Sequence, residues 1–418
     1  MNLDNPLWAN STHQDGSHVG WVTQCSYNDA AFTGLDVHAN YVILDNFELL
    51  GKCWSSVKTY GADSELAENG SSGDVVEHAY FHGWTMTYTS GLGSVFDKAP
   101  MIGGRGTLQT LSYSVFDGSD AGPPCSASGN CSGDIADPSG TMGIANADHN
   151  VFRRIGNTTN GTSIFNCWHD NLFEYMYDSF DTTTHSDVLF TYGNYAASGS
   201  SSCFYNNMIR HVSTGQTIAL DPPDAGKLYI FNNILFDVGN AGNCMQLQNT
   251  TANNATFYIT NNTFDAPCTI AMNYNNNLMY ARNSVVFQNN HFIGWTSLSQ
   301  VIATGGNPYL TVTDNGNEVF QSEAAANGQG YVPANNYQPT SKSGATYQAG
   351  GNLSASCPAF SGDSALCSGS TGGVANAAGS GSVPAQHIYP PTARAKSWDA
   401  GAYQFQPNPP TGLTLTAQ

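Results

Sequence analysis

The densest run of side chains able to do chemistry lies between Cys167 and Asp187. Within these 21 residues stand Asp170, Asp178, Asp181, Asp187, Glu174, His169 and His185, in a chain with only 10% charged residues. Ordinary soluble domains carry about 25%. Paired carboxyls are what glycoside hydrolysis needs: one acid and one base or nucleophile, about 5–5.5 Å apart for retention or 6.5–9.5 Å for inversion. The expected catalytic groups are Asp181, Asp187 and Asp221, with His185 tuning the acid and Asp178 in reserve. Trp168, Tyr175, Tyr177 and Tyr192 supply aromatic surface, and His169, Gln246 and Gln248 supply hydrogen bonds, for a sugar polymer. The plainer reading is that such acids end strands or bind loop amides.

Elimination is the competing chemistry. Asp178, Asp181 and Asp187 would hold Ca2+, a hard cation that needs several oxygen ligands. Arg210, following a repeat position, would edge the cleft. Arg153 and Arg154 would edge it too, or stand solvated in turns. With a net charge of −19, the chain needs such an ion to approach a polyuronate.

Positioning these groups falls to a repeat. A small polar residue followed two places later by Phe, Ile or Leu recurs at Asp45/Phe47, Ala79/Phe81, Ser114/Phe116, Asn150/Phe152, Asn171/Phe173, Asn207/Ile209, Asn233/Leu235, Asn262/Phe264 and Asn290/Phe292. Strand-like segments precede the later copies, such as Leu228-Tyr229-Ile230-Phe231 and Val285-Val286-Phe287-Gln288. A second set, Ile218-Ala219-Leu220, Met245-Gln246-Leu247 and Ile270-Ala271-Met272, follows them. No unit can bury its own apolar side, so the units must stack. Asn suits the bend because it tolerates left-handed angles, and stacked amides can bond along the stack. About nine coils at ~4.8 Å make a rod roughly 43 Å long. If Val188 and Phe190 point inward, then Asp187, Leu189 and Thr191 point outward, joined on one face by Thr217, Asp221, Gln246, Gln248 and Asn273.

These copies resemble the right-handed parallel β-helix of the pectate-lyase-like superfamily, in particular secreted bacterial right-handed β-helix repeat proteins. The resemblance implies an all-β solenoid over residues 36–320 and a glycan held along one parallel sheet. The Trp398–Tyr403 stretch resembles a C-terminal element of such chains. The Asn-Thr-Asp and paired-Asp signatures of the polygalacturonase group are missing, so no catalytic residue transfers from it. Flanking segments are expected as an N-terminal cap (1–35), an extended C-terminal run along the rod (321–405) and a Pro-rich tail (406–418).

Composition narrows the classes further. Twelve Lys plus Arg against 31 Asp plus Glu exclude a phosphate-binding surface, so nucleic acid is not an expected partner. Nor is any apolar run long enough to cross a bilayer. Ten cysteines fall into local couples: Cys25 with Cys53, Cys125 with Cys131, Cys167 with Cys203, Cys244 with Cys268, and Cys357 with Cys367. Local pairing in an acidic chain points to an oxidising, extracytoplasmic setting, and Met1 is expected to be an addition to a processed form. A non-catalytic glycan-binding or structural surface rod is the remaining reading. His78 and His82, four apart on a strand, would share a face and offer a zinc pair.

Overall fold

The computed structural model describes residues 35–50, 53–54, 66–68, 70–82, 85–86, 102–104, 107–117, 143–153, 160–162, 166–176, 187–191, 198–212, 216–220, 225–238, 243–247, 254–265, 269–271, 282–335, 337–355, 369–370, 374–375, 387–388, 392–394 and 397–405. The fold is all-β. An 18-stranded sheet, a six-stranded sheet and a three-stranded sheet carry the stack. Their strands pair in parallel, each with its counterpart one repeat away, as in Ser201–Tyr205 beside Lys227–Phe231 and then Thr256–Thr260. The sheet does not close on itself, an arrangement compatible with a solenoid-like β-helix. Among the described residues no helix is long and apolar enough to cross a membrane.

The repeat motif divides its labour between two residues. The Asn of each copy does not take the left-handed conformation; the residue before it does. His78, Tyr113, His149, Asp170, Asn206, Asn232, Asn261 and Asn289 have φ between 51° and 61°. The backbone N–H of the residue at this bend donates across the stack, as from Tyr113 to the Asp148 carbonyl and from Asp170 to the Tyr205 carbonyl. The next residue then turns its amide inward. Asn150, Asn171, Asn207, Asn233, Asn262 and Asn290 form a continuous buried ladder. Each Nδ2 donates to the following Oδ1 or cap and to a backbone carbonyl; Asn207 Nδ2, for instance, reaches Asn233 Oδ1 at 3.1 Å and the Trp168 carbonyl at 3.0 Å. Each backbone N–H in the ladder also donates to the following side chain.

One copy needs correction. Phe47, not Asp45, is in register with Ala79, and Leu49 with Phe81. Asn46 is the left-handed residue there, in the column of His78. A two-residue shift preserves the alternation of faces, so the pattern by itself could not reveal it. Inside the bend, Phe81, Phe116, Phe152 and Phe173 stack with centroids 4.6, 5.2 and 5.0 Å apart. Phe264, Phe292 and Phe320 continue the column beyond Ile209 and Leu235.

Glu318 ends the ladder. Its carboxyl accepts from Asn290 N at 2.9 Å and from Asn290 Nδ2 at 3.3 Å. Burial pushes its pKa up to about 9, against the two bonds from Asn290 that favour the anion. Because the folded value lies above the unfolded one, the stability this group contributes is complete below pH ~4.5 and declines as pH rises toward 9. Glu318→Gln keeps an acceptor for Asn290 and removes the ionisation. The variant should therefore gain stability relative to the parent as pH rises from 5 to 9, read from denaturant midpoints at both pH values; parallel pH profiles would refute the assignment.

Residues beyond the ladder pack across several rungs. The Gly351 backbone exchanges two hydrogen bonds with the Asn289 side chain, at 2.8 and 2.7 Å. Ala402 N donates to Thr263 Oγ1, Tyr337 Oη donates to Asp265 Oδ2, and Arg394 Nη2 donates to Asn232 Oδ1. Trp398 and Leu353 cover Tyr229 and Phe231 on the outer surface of the sheet. Those apolar groups would otherwise face water.

Candidate functional site

A column of polar and aromatic side chains follows the left-handed bends up one edge of the stack. Each bend forces its own side chain and the preceding one outward. His78, Tyr113 and His149 stack face to face, with centroids 5.2 and 4.6 Å apart. His169 lies edge-on to His149 at 6.1 Å and stacks on Tyr205 at 4.6 Å. Carboxylates flank the rings. His78 Nδ1 is 2.8 Å from Asp45 Oδ1, His149 Nδ1 is 2.8 Å from Asp148 Oδ2, and His169 Nδ1 is 2.8 Å from Asp170 Oδ2. Because the ring faces are spent on one another, the column offers edges: imidazole nitrogens, the half-exposed Tyr113 phenol and carboxylate oxygens.

The charges act on one another. Burial by itself would lower the pKa of His149. The hydrogen bond with Asp148 and the negative charges of Asp170 and Asp148 outweigh it, so the value lies above the ordinary imidazole range. Burial raises the Tyr113 phenol, and Asp148, Asp170 and Glu77 raise it further. Among the described residues, two trios each bring ligand-type atoms within 4.8 Å of one another: His149 with His169 and Asp170, and Asp45 with Glu77 and His78.

Few of the residues singled out in the sequence meet here. His169 does, part-buried in the column. Trp168 is fully buried and donates from Nε1 to the Ile144 carbonyl, which leaves no indole face for a sugar. Arg210 edges no cleft. It is 3% exposed, with Nε 2.9 Å and Nη2 2.6 Å from Glu174 Oε2. Arg153, in register with Glu174, is buried as well. A guanidinium shielded from water needs its countercharge beside it.

In the six-stranded sheet, residues expected on one outer face take different register rows. Leu189, expected outward, is fully buried and in register with Ile218. Asp187 pairs with Gln216, while Gln246 pairs with Ala219 in the column of Phe190. Gln246 is buried, with no hydrogen-bond partner for Oε1 among the described residues. Tyr175 lies within the strand Leu172–Met176, and the side chains of Asp187 and Tyr175 lie outside the described residues. Tyr177, Asp178, Asp181, His185, Tyr192, Asp221 and Gln248 also lie outside them.

Cys167 and Cys203 form a disulfide between register partners in adjacent rungs, with Cα atoms 4.5 Å apart. The sulfurs of the other four proposed couples lie outside the described residues. His78 bends with φ 51° inside the strand Ser72–His82, and the side chain of His82 lies outside the described residues.

Asp45, Glu77, Tyr113, Asp148 and His149 lie outside the run that the sequence singles out, and Asp170 lies within it without an expected role. The signal was present one and two places before the ladder residue. A bend placed on the Asn itself conceals it. Comparison with protein-family models, with curated proteins and with solved structures finds no match to this chain.

Proposed function

We propose that this chain is an extracytoplasmic right-handed parallel β-helix that binds an extended polysaccharide along its His/Tyr/Asp edge and cleaves it. The observation supporting this reading is the edge column itself. Hydrogen-bonding groups recur there at rung spacing, about 4.8 Å, from Asp45 and His78 through Tyr113 and His149 to His169 and Asp170. A periodic row of donors and acceptors suits a polymer of repeated hydroxyl groups. Sugars would be held by hydrogen bonds to ring edges and carboxylates, not by stacking on ring faces. Asp181, Asp187 and Asp221 remain the proposed cleaving acids, with His185 beside them. Hydrolysis between two carboxyls ranks ahead of elimination assisted by Ca2+ at Asp178, Asp181 and Asp187.

A glycan panel tests this directly. Reducing-end release without new absorbance near 235 nm would mark hydrolysis, and that absorbance would mark elimination. Asp187→Asn and Asp181→Asn should each abolish product release, while Tyr113→Ala should weaken polymer retention several-fold at unchanged fold. Binding that persists without products from any glycan would leave a non-catalytic surface protein. Neither binding nor products would end the reading.

A further inference from the structure

The middle of the edge column brings together ligand types suited to a transition metal, independently of any glycan. His149, His169 and Asp170 come from two adjacent rungs, and one ligand atom of each lies within 4.8 Å of the others. The stack fixes their backbones: His149 N donates to the His169 carbonyl, and Asp170 N to the Tyr205 carbonyl. Both imidazoles are also held in orientation. Asp148 Oδ2 engages His149 Nδ1, which leaves Nε2 as that ring's lone-pair nitrogen. This carboxylate–imidazole contact is the support that metal-ligating histidines usually have. His169 Nδ1 and Asp170 Oδ2 stand 2.8 Å apart. Two ligands on one tetrahedral ion at ~2.0–2.1 Å are separated by roughly 3.3 Å, so a modest opening admits an ion.

We propose that His149, His169 and Asp170 bind a borderline divalent ion of the Zn2+ class. Two nitrogens and one carboxylate suit Zn2+, Cu2+ or Ni2+. Ca2+ wants six to eight oxygens and is disfavoured by the same set. Three protein ligands leave one position for water or a bound ligand, the pattern of reactive rather than purely structural zinc sites. The neighbouring trio Asp45, Glu77 and His78 has a single imidazole, and His78 and Asp45 are each about half exposed. It lacks the second nitrogen and the shielded carboxylate that Asp170, 9% exposed, supplies.

Calorimetric titration of ZnCl2 into the chelator-washed full chain, near neutral pH and without glycan, tests the site. The parent should bind Zn2+ with micromolar or tighter affinity, and Ca2+ in tenfold excess should not displace it. His149→Asn, which suits the left-handed backbone at that position, and His169→Gln should each raise Kd at least tenfold, with circular dichroism unchanged. His78→Gln should keep the parent affinity. Cu2+ bound to the parent should show electron-spin coupling to two imidazole nitrogens, a reading that needs no variant to fold. Absence of Zn2+ binding, displacement by Ca2+, equal affinity in both site variants, loss in His78→Gln alone, or no nitrogen coupling would each overturn the proposal. Because no sugar enters the experiment, its outcome is separate from that of the glycan panel.

Discussion

Asn207→Ala should destabilise the protein by about 3–6 kcal/mol, seen as a large fall in the denaturant midpoint. Asn207 is 1% exposed and sits mid-ladder. Its Oδ1 accepts from the Asn171 N–H at 3.0 Å and from Asn171 Nδ2 at 3.0 Å. Its Nδ2 donates to the Trp168 carbonyl and to Asn233 Oδ1. Alanine leaves the Asn171 N–H, one Asn171 Nδ2 proton and the Trp168 carbonyl without these partners in a dry environment. Each orphaned group costs roughly 1–3 kcal/mol. A solenoid rung is stabilised only by its neighbours, so a break at this level weakens the coupling between the two halves of the stack.

Asn206→Gly is the paired control. Asn206 has φ 55°, and its side-chain nitrogen and oxygen are buried without hydrogen-bond partners among the described residues. Glycine adopts that φ at no steric cost. The change should stay within about 1 kcal/mol. If adjacent asparagines proved equally costly, the division between bend and ladder would be wrong.

Arg210→Met should cost about 3–5 kcal/mol, because it leaves Glu174 as a buried carboxylate stripped of its partner. The two side chains are 4% and 5% exposed and joined by two hydrogen bonds. Register places Arg153 on the other side of Glu174, so charge alternates over these three rungs. The double variant Glu174→Gln/Arg210→Met should be more stable than Arg210→Met alone, since it removes the carboxylate that has lost its hydrogen-bonding guanidinium. Urea midpoints of the parent, the Arg210→Met variant and the double variant give the answer. A double variant worse than the single would show that Glu174 is satisfied without Arg210. An arginine at a cleft edge would lose little on substitution, because exposed ion pairs contribute ~0–1 kcal/mol.

The architecture was legible because a solenoid writes itself into local sequence. Asn150, Asn171, Asn207, Asn233, Asn262 and Asn290 mark one position per rung, and Phe or another large apolar residue two places on marks the core column. The left-handed residue was less legible. It is Tyr113, His149 or Asp170 as readily as Asn, since the ladder and the stacked core hold the bend whatever side chain occupies it. In the first copy the ladder position holds Phe47 and its register partner for Phe81 is Leu49, so the motif at Asp45/Phe47 assigns a register two residues early.

The site was less legible still. A dense run of Asp and His suggested one cluster near 169–187, but solenoid neighbours are separated by a rung, 21–36 residues along the edge column, not by a few residues of chain. His149 meets His169 because the insertion between their rungs is short, and Asp148 meets His149 because the bend points both outward. Burial was equally invisible: Trp168 and Arg210 have the residue types of a sugar cleft, yet one fills the core and the other neutralises Glu174.

By itself, then, the sequence determined that rungs form and repeat, because alternation, bend and ladder are short-range properties of each unit. Only the tertiary structure decided which outward side chains become neighbours and which outward surfaces other segments cover, as Trp398 covers Tyr229. Those outcomes depend on inter-rung register and on the packing of distant chain segments, and a one-residue slip exchanges every inward side chain for an outward one.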